Sequence, residues 1–86
     1  MIRYHLYTEN KNIQFIFSLV RQGFKGFTVF DATGDWQGKA ESSLCIEIIG
    51  ETWEQATVEC IARRIKAENK QEAVLLTFET VQSELI

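Results

Sequence analysis

Arg3, His5 and Tyr7 stand two apart near the start of the chain, and a second group of chemically able side chains follows in Asp31, Asp35, Trp36, Lys39 and Glu41. A spacing of two puts the first three on one face of an extended strand. Arg3 there can grip a phosphate or carboxylate with its planar fork. His5 is a candidate acid–base group, and Tyr7 shares its face. In the second group Trp36 offers a stacking face and Lys39 a cation. The carboxylates can pair for acid–base work or hold a divalent cation, but their spacing matches no EF-hand loop and no other metal motif. An Asp in such a segment ordinarily bonds to its own turn. No Ser or Cys is placed beside His5, so nucleophile–His catalysis has no support. No residue is assigned a catalytic role. The site expected is a binding site, with Arg3, His5, Tyr7, Asp31, Asp35, Trp36 and Lys39 lining a cleft for a small anionic ligand.

Those groups need elements to hold them. Ile2, Tyr4 and Leu6 alternate with Arg3, His5 and Tyr7, which predicts a strand over 2–8. Thr8 and Asn10 are candidate N-caps for a helix over 10–22 carrying Ile13, Ile16, Phe17 and Val20 at helical spacing. Gly23 is expected as its left-handed terminator. A second strand runs from Phe27 to Thr33, rich in β-branched and aromatic residues. Residues 34–42, bracketed by Gly34 and Gly38, read as a loop, the alternative being a plain hairpin whose Trp36 packs on a neighbouring subunit. A third strand covers 43–49. Thr52 and Gln55 fit a capping box, and an amphipathic helix continues to about Asn69 with Trp53 as a packing residue. A last strand covers 73–81, and residues 82–86 form a tail.

Composition narrows the function classes. The chain has 86 residues, 45% of them hydrophobic, with no proline, which is ordinary globular make-up and predicts one domain over 1–86. A formal net charge of −3 argues against nucleic acid as a partner, since phosphate contacts need a basic stripe. No apolar run approaches a membrane span, and the start of the chain alternates like a strand rather than a signal peptide. Cys45 and Cys60 lie in apolar stretches and read as small buried hydrophobes. With His5 as the single histidine, a structural zinc site is ruled out. No cofactor is expected, and the cytoplasm is the expected compartment.

The order β-α-β-β-α-β predicts an α+β, ferredoxin-like fold, a four-stranded antiparallel sheet with two helices on one face. The other face is left bare. Cys45 and Ile49 oppose Leu44, Ile46 and Ile48, and Ala73, Leu75 and Val81 oppose Val74, Leu76 and Phe78. A sheet apolar on both faces must be covered on both. With no third layer in the chain, a second copy is the expected cover, and ligand clefts then lie between subunits.

The segment from Gly26 through Phe27-Thr28-Val29-Phe30-Asp31-Ala32-Thr33-Gly34-Asp35 to Trp36 resembles the G-hydrophobic-TV-x-D-a-x-G-x-W segment of a small bacterial family of unknown function. Lys70-Gln71-Glu72-Ala73-Val74-Leu75 is similar to the Q-E-x-V-L lead into that family's last strand. The layout also resembles the PII-like superfamily of trimeric signalling proteins. In those a long loop between strands two and three, together with the inter-subunit cleft, binds adenine nucleotides and engages partner proteins. Here the connecting segment is short, no Gly-x-Gly follows strand two, and residues 82–86 hold no counterpart of the basic phosphate-binding C-terminal residues.

The resemblance implies a homo-oligomer, a trimer by preference, that senses or sequesters a small anionic or nucleotide ligand without catalysis. Two other readings stand beside it. One is a protein-interaction module, such as a small regulatory or phage-encoded inhibitor, docking through its loop and acidic surface. The other is a small ferredoxin-like enzyme using His5 with Asp31.

Overall fold

The alternation at the start of the chain divides one strand between two environments. In β1 (Ile2–Glu9) Tyr4, Leu6 and Thr8 are buried beneath the helices, while Arg3, His5, Tyr7 and Glu9 face the other way. The computed structural model describes residues 1–86. Its remaining elements are α1 (Ile13–Gly23), β2 (Thr28–Trp36), β3 (Lys39–Gly50), a 3₁₀ turn (Thr52–Glu54), α2 (Gln55–Asn69) and β4 (Leu75–Thr80).

The strands form one antiparallel sheet in the order β2-β3-β1-β4. The expected βαββαβ arrangement is therefore present. Register fixes which side chains share a face. Tyr4 pairs with Ile48 and Phe78, and Leu6 with Ile46 and Leu76. Of these, Tyr4, Leu6, Ile46 and Ile48 join Leu44 and Phe24, together with Ile16, Leu19 and Val20 of α1 and Val58, Ile61 and Ile65 of α2, in a core of 12 buried residues, with Leu76 packed against it and Phe78 exposed. Burying a large aliphatic or aromatic side chain contributes about 1.5–3 kcal/mol, so this one layer of contacts holds the helices to the sheet. No helix is long and apolar enough to cross a membrane.

Several local expectations need correction. Residues 34–42 are not a loop: β2 and β3 continue through them to a two-residue turn at Gln37 and Gly38. Both turn residues have positive φ, 54° and 83°. That is the backbone that matches the strand twist of a tight hairpin, and glycine takes it without strain. The Asp35 carboxylate accepts the Gly38 N–H at 3.1 Å.

Thr8 and Asn10 do not cap α1. Its N-cap is Asn12, in the left-handed region with no side-chain cap bond. Gly23 is not left-handed either, and Phe24 ends the helix in extended backbone. Gly23 is needed for space: a Cβ there would sit 3.2 Å from Thr57 Cγ2 of α2.

The capping box lies one residue earlier than expected. Glu54 Oε1 accepts the Glu51 N–H at 2.8 Å, and the Glu51 carboxylate accepts the Glu54 N–H in turn. Trp53, placed on this turn, lies outside the core and is 78% exposed. Cys60 is also exposed, since its side of α2 faces outward, whereas Cys45 is buried; both thiols are free.

Candidate functional site

β1 ends at Glu9, but the β2–β3 ribbon runs past it to the turn at Gln37 and Gly38. A two-stranded ribbon twists more strongly than a sheet, and this one curls over the end of β1. The Trp36 indole N–H donates to Glu72 Oε2 at 2.8 Å. Glu72 precedes β4, which lies on the opposite edge of the sheet from β2. The bond therefore joins the two edges and closes a cleft of about 530 Å³. Tyr7 and Glu9 of β1, Gly34 and Trp36 of the ribbon, and Lys70 and Glu72 of the segment before β4 are among its walls. Its charged groups are Lys11 and Lys70 against Glu9, Asp35, Glu41 and Glu72.

A buried polar network sets the position of these walls. Asn69 donates to Gln71 Oε1 at 3.1 Å and to the Lys11 carbonyl at 3.3 Å, and accepts from Asn12 Nδ2 at 2.7 Å. Thr8 Oγ1 donates to Gln71 Oε1 at 3.1 Å, and Gln71 Nε2 donates to the Ala73 carbonyl at 2.9 Å. Asn69 and Gln71 are almost fully buried. Buried amides left unpaired cost about 1–3 kcal/mol each, so the network fixes the β1–α1 and α2–β4 connections against each other. Two left-handed residues, Asn12 and Lys70, make the sharp turns this requires.

Above the cleft lies the bare sheet face. One row crosses all four strands as Phe30, Cys45, Tyr7 and Leu75. The next is Thr28, Glu47, His5 and Thr77, and beyond it are Ile49, Arg3 and Glu79. The face is thus apolar in one row and charged in the next, rather than apolar throughout. Arg3 Nη1 donates to Glu79 at 2.8 Å, and its Nε approaches Glu47 Oε1 at 3.3 Å without the alignment of a hydrogen bond. His5 Nε2 lies 2.9 Å from Glu47 Oε1, and Nδ1 lies 3.2 Å from the Tyr7 hydroxyl. Burial pushes the Cys45 thiol up, which keeps it a weak nucleophile at neutral pH. Burial, then the neighbouring Cys45, raises the Tyr7 phenol as well.

Of the residues singled out in the sequence, Tyr7, Asp35 and Trp36 meet at the cleft. Arg3 and His5 share the bare face with Tyr7 but are held by Glu47 and Glu79. Lys39 pairs with Trp36 in register and lies outside the lining. Asp31 pairs with Leu44, so it points to the helix side of the sheet, away from His5. The His5–Asp31 pair required for the enzymatic reading is therefore not formed. No group of three or more His, Cys, Asp or Glu side chains is arranged to hold a metal.

Thr8, Lys11, Asn69, Lys70, Gln71 and Glu72 were not legible as site residues. The Lys70-Gln71-Glu72 run was visible only as part of a resemblance. The single physical signal was a set of amide and hydroxyl side chains at both helix–strand junctions.

No protein-family model matches this sequence, and no curated protein matches it. Among solved structures, the chain is similar to a DUF3240 family protein from Shewanella baltica OS155, with a TM-score of 0.83 at 14% identity, covering 99% of this chain and 94% of that one. It is also similar to CPII, a nitrogen regulatory PII-like protein from Thiomonas intermedia K12 bound to ADP, AMP and bicarbonate. There the TM-score is 0.71 at 11% identity, covering 99% of this chain and 93% of that one. The fold is thus the α+β, ferredoxin-like arrangement of PII-like proteins.

Proposed function

We propose that this protein is a non-catalytic binding module that assembles with copies of itself through the bare sheet face and takes a small ligand in the cleft beside Trp36. The observation that carries the reading is the Trp36–Glu72 bond, which holds an aromatic face, 49% exposed, at the wall of a cleft built by a buried polar network. An exposed tryptophan fixed in place is a ready stacking surface. Carboxylates accept N–H and O–H groups, while Lys11 and Lys70 attract an anion. A ligand with a flat ring, several donors and a modest negative charge fits this set. Adenine nucleotides have that chemistry, and the PII-like CPII is bound to ADP and AMP. Because four carboxylates face two lysines, AMP is favoured over more highly charged nucleotides.

Self-association rests on the row of Phe30, Cys45, Tyr7 and Leu75, which no layer of this chain covers. Leu75 is 59% exposed and Phe30 47%. Exposed contiguous apolar surface of this kind marks an interaction site. The trimer of PII-like proteins is the preferred assembly, and the free thiols suit the cytoplasm.

Sedimentation equilibrium and calorimetry test the two halves. The expected results are an oligomer at micromolar concentration that Leu75→Glu dissociates, and saturable heat with AMP that Trp36→Ala abolishes. A lone protomer giving no heat with AMP, ADP or ATP overturns the reading.

A further inference from the structure

Charge is divided between the two layers. Residues 11–26 and 55–70 hold Lys11, Arg21, Lys25, Arg63, Arg64, Lys66 and Lys70, seven of the nine basic side chains, and only Glu59 and Glu68 of the 12 acids. Of the other ten acids, six lie in the strands (Glu9, Asp31, Asp35, Glu41, Glu47 and Glu79) and four, Glu51, Glu54, Glu72 and Glu84, in the segments between and after the strands and α-helices. The seven cations are all exposed, and none is in an ion pair, since the three ion pairs of the molecule join Arg3 or His5 to Glu47 or Glu79. A protein acidic as a whole thus presents a basic helical layer, which its net charge conceals.

Two grooves flank α1 within this layer. One, of about 400 Å³, runs between the helices over Leu19, Gly23, Ala56, Cys60 and Ile61, with Arg64 at its edge. The other, of about 510 Å³, lies between α1 and β2 over Phe17, Phe24, Phe27 and Val29, with Arg21 and Lys25 beside it. No acidic residue lines either. In each, an arginine lies over a ring: Arg64 is 5.9 Å from the Phe15 centroid and Arg21 5.7 Å from that of Phe17. Stacking holds each guanidinium in place while leaving its N–H edge free for a carboxylate. Thr57, Cys60 and Arg64 share one face of α2 along the first groove, and Trp53, on the 3₁₀ turn just before α2, is 78% exposed.

We propose that the helical layer docks an acidic, amphipathic protein segment. Its apolar side chains enter the α1–α2 groove, its carboxylates meet Arg64 and Arg21, and Trp53 covers one end. Complementary charge selects an acidic partner. The apolar floors select a protein over a nucleic acid, which engages cations through phosphates and has no use for such grooves. Arginines already held over rings lose little freedom on binding. Copies joined by their bare sheet faces turn these layers outward.

The probe is a synthetic helical peptide of about 16 residues with Leu at i, i+4, i+7 and i+11 and Glu elsewhere, beside a scrambled peptide of the same composition. Amide NMR of the labelled protein is expected to show saturable shifts confined to residues 15–25 and 53–64. The scrambled peptide is expected to bind at least about tenfold more weakly. Arg21→Glu with Arg64→Glu, both exposed positions, is expected to weaken the designed peptide about tenfold with unchanged circular dichroism, and Trp53→Ala also weakens it. Equal binding of the two peptides, no shifts at millimolar peptide, or stronger binding of duplex DNA or anionic lipid vesicles at the same residues overturns the proposal.

Discussion

The indole of Trp36 and the carboxylate of Glu72, 36 positions apart in the chain, are joined by a 2.8 Å hydrogen bond that ties one edge of the sheet to the other. Neither residue belongs to the core. Trp36 is the last ladder residue before the turn, and Glu72 lies in the segment leading to β4. The bond closes the cleft without contributing much to the fold, because an exposed hydrogen bond is worth only about 0.5–1.5 kcal/mol.

Glu72→Ala, which removes the acceptor, is therefore expected to free the ribbon tip while leaving global stability within about 1 kcal/mol. Hydrogen exchange is the measurement: amides of residues 33–42 exchange faster, while those of β1 and α2 do not. Unchanged exchange at the tip contradicts a closing role for the bond.

Asn69→Ala removes the buried amide that bonds Asn12, the Lys11 carbonyl and Gln71, leaving Gln71 tied only to Thr8 and the Ala73 carbonyl. A loss of about 2–3 kcal/mol is expected, large for a polar residue in so small a protein. Urea denaturation reads the loss. Asn69→Asp, which keeps the acceptor for Asn12 but removes the donors, is also destabilised.

Gly23 and Thr57 set how closely the helices approach. Gly23→Val is expected to cost about 1–3 kcal/mol, because its side chain enters the space held by Thr57 Cγ2. Thr57→Ala recovers part of that loss in the double variant, and thermal melts of the four proteins measure the coupling.

Alkaline pH weakens the fold. Tyr4 is buried with its hydroxyl donating to the Glu51 carbonyl at 2.7 Å, and burial, then Glu54 and Glu51, raises its pKa above the ordinary phenol value. The folded state thus keeps its proton longer than the unfolded state. The stability this contributes is complete below the unfolded value of about 10 and is lost as pH rises through it toward the folded value. Denaturant midpoints at pH 8, 10 and 11 are expected to fall in that order. Tyr4→Phe starts lower, by about 1 kcal/mol for the lost hydrogen bond, and falls less steeply.

Short-range pattern determined most of the architecture. The alternation of Ile2, Tyr4 and Leu6, the helical spacing of Ile13, Ile16, Phe17 and Val20, and the β-branched run after Gly26 place strands and helices within a few residues, because periodicity reports which side of an element meets the core. The shared face of Arg3, His5 and Tyr7 follows from the same rule. The cleft does not. Its walls come from four segments joined by contacts between Trp36 and Glu72, Thr8 and Gln71, and Asn12 and Asn69, and no local pattern encodes pairings across so many residues. Glycines misled for a related reason: Gly34 lies inside a continuous strand, and Gly23 makes room for a helix that begins more than 30 residues later. Charge behaved likewise. A net value of −3 is a property of the composition, but the separation of basic helices from an acidic sheet exists only once folding sorts the segments into layers.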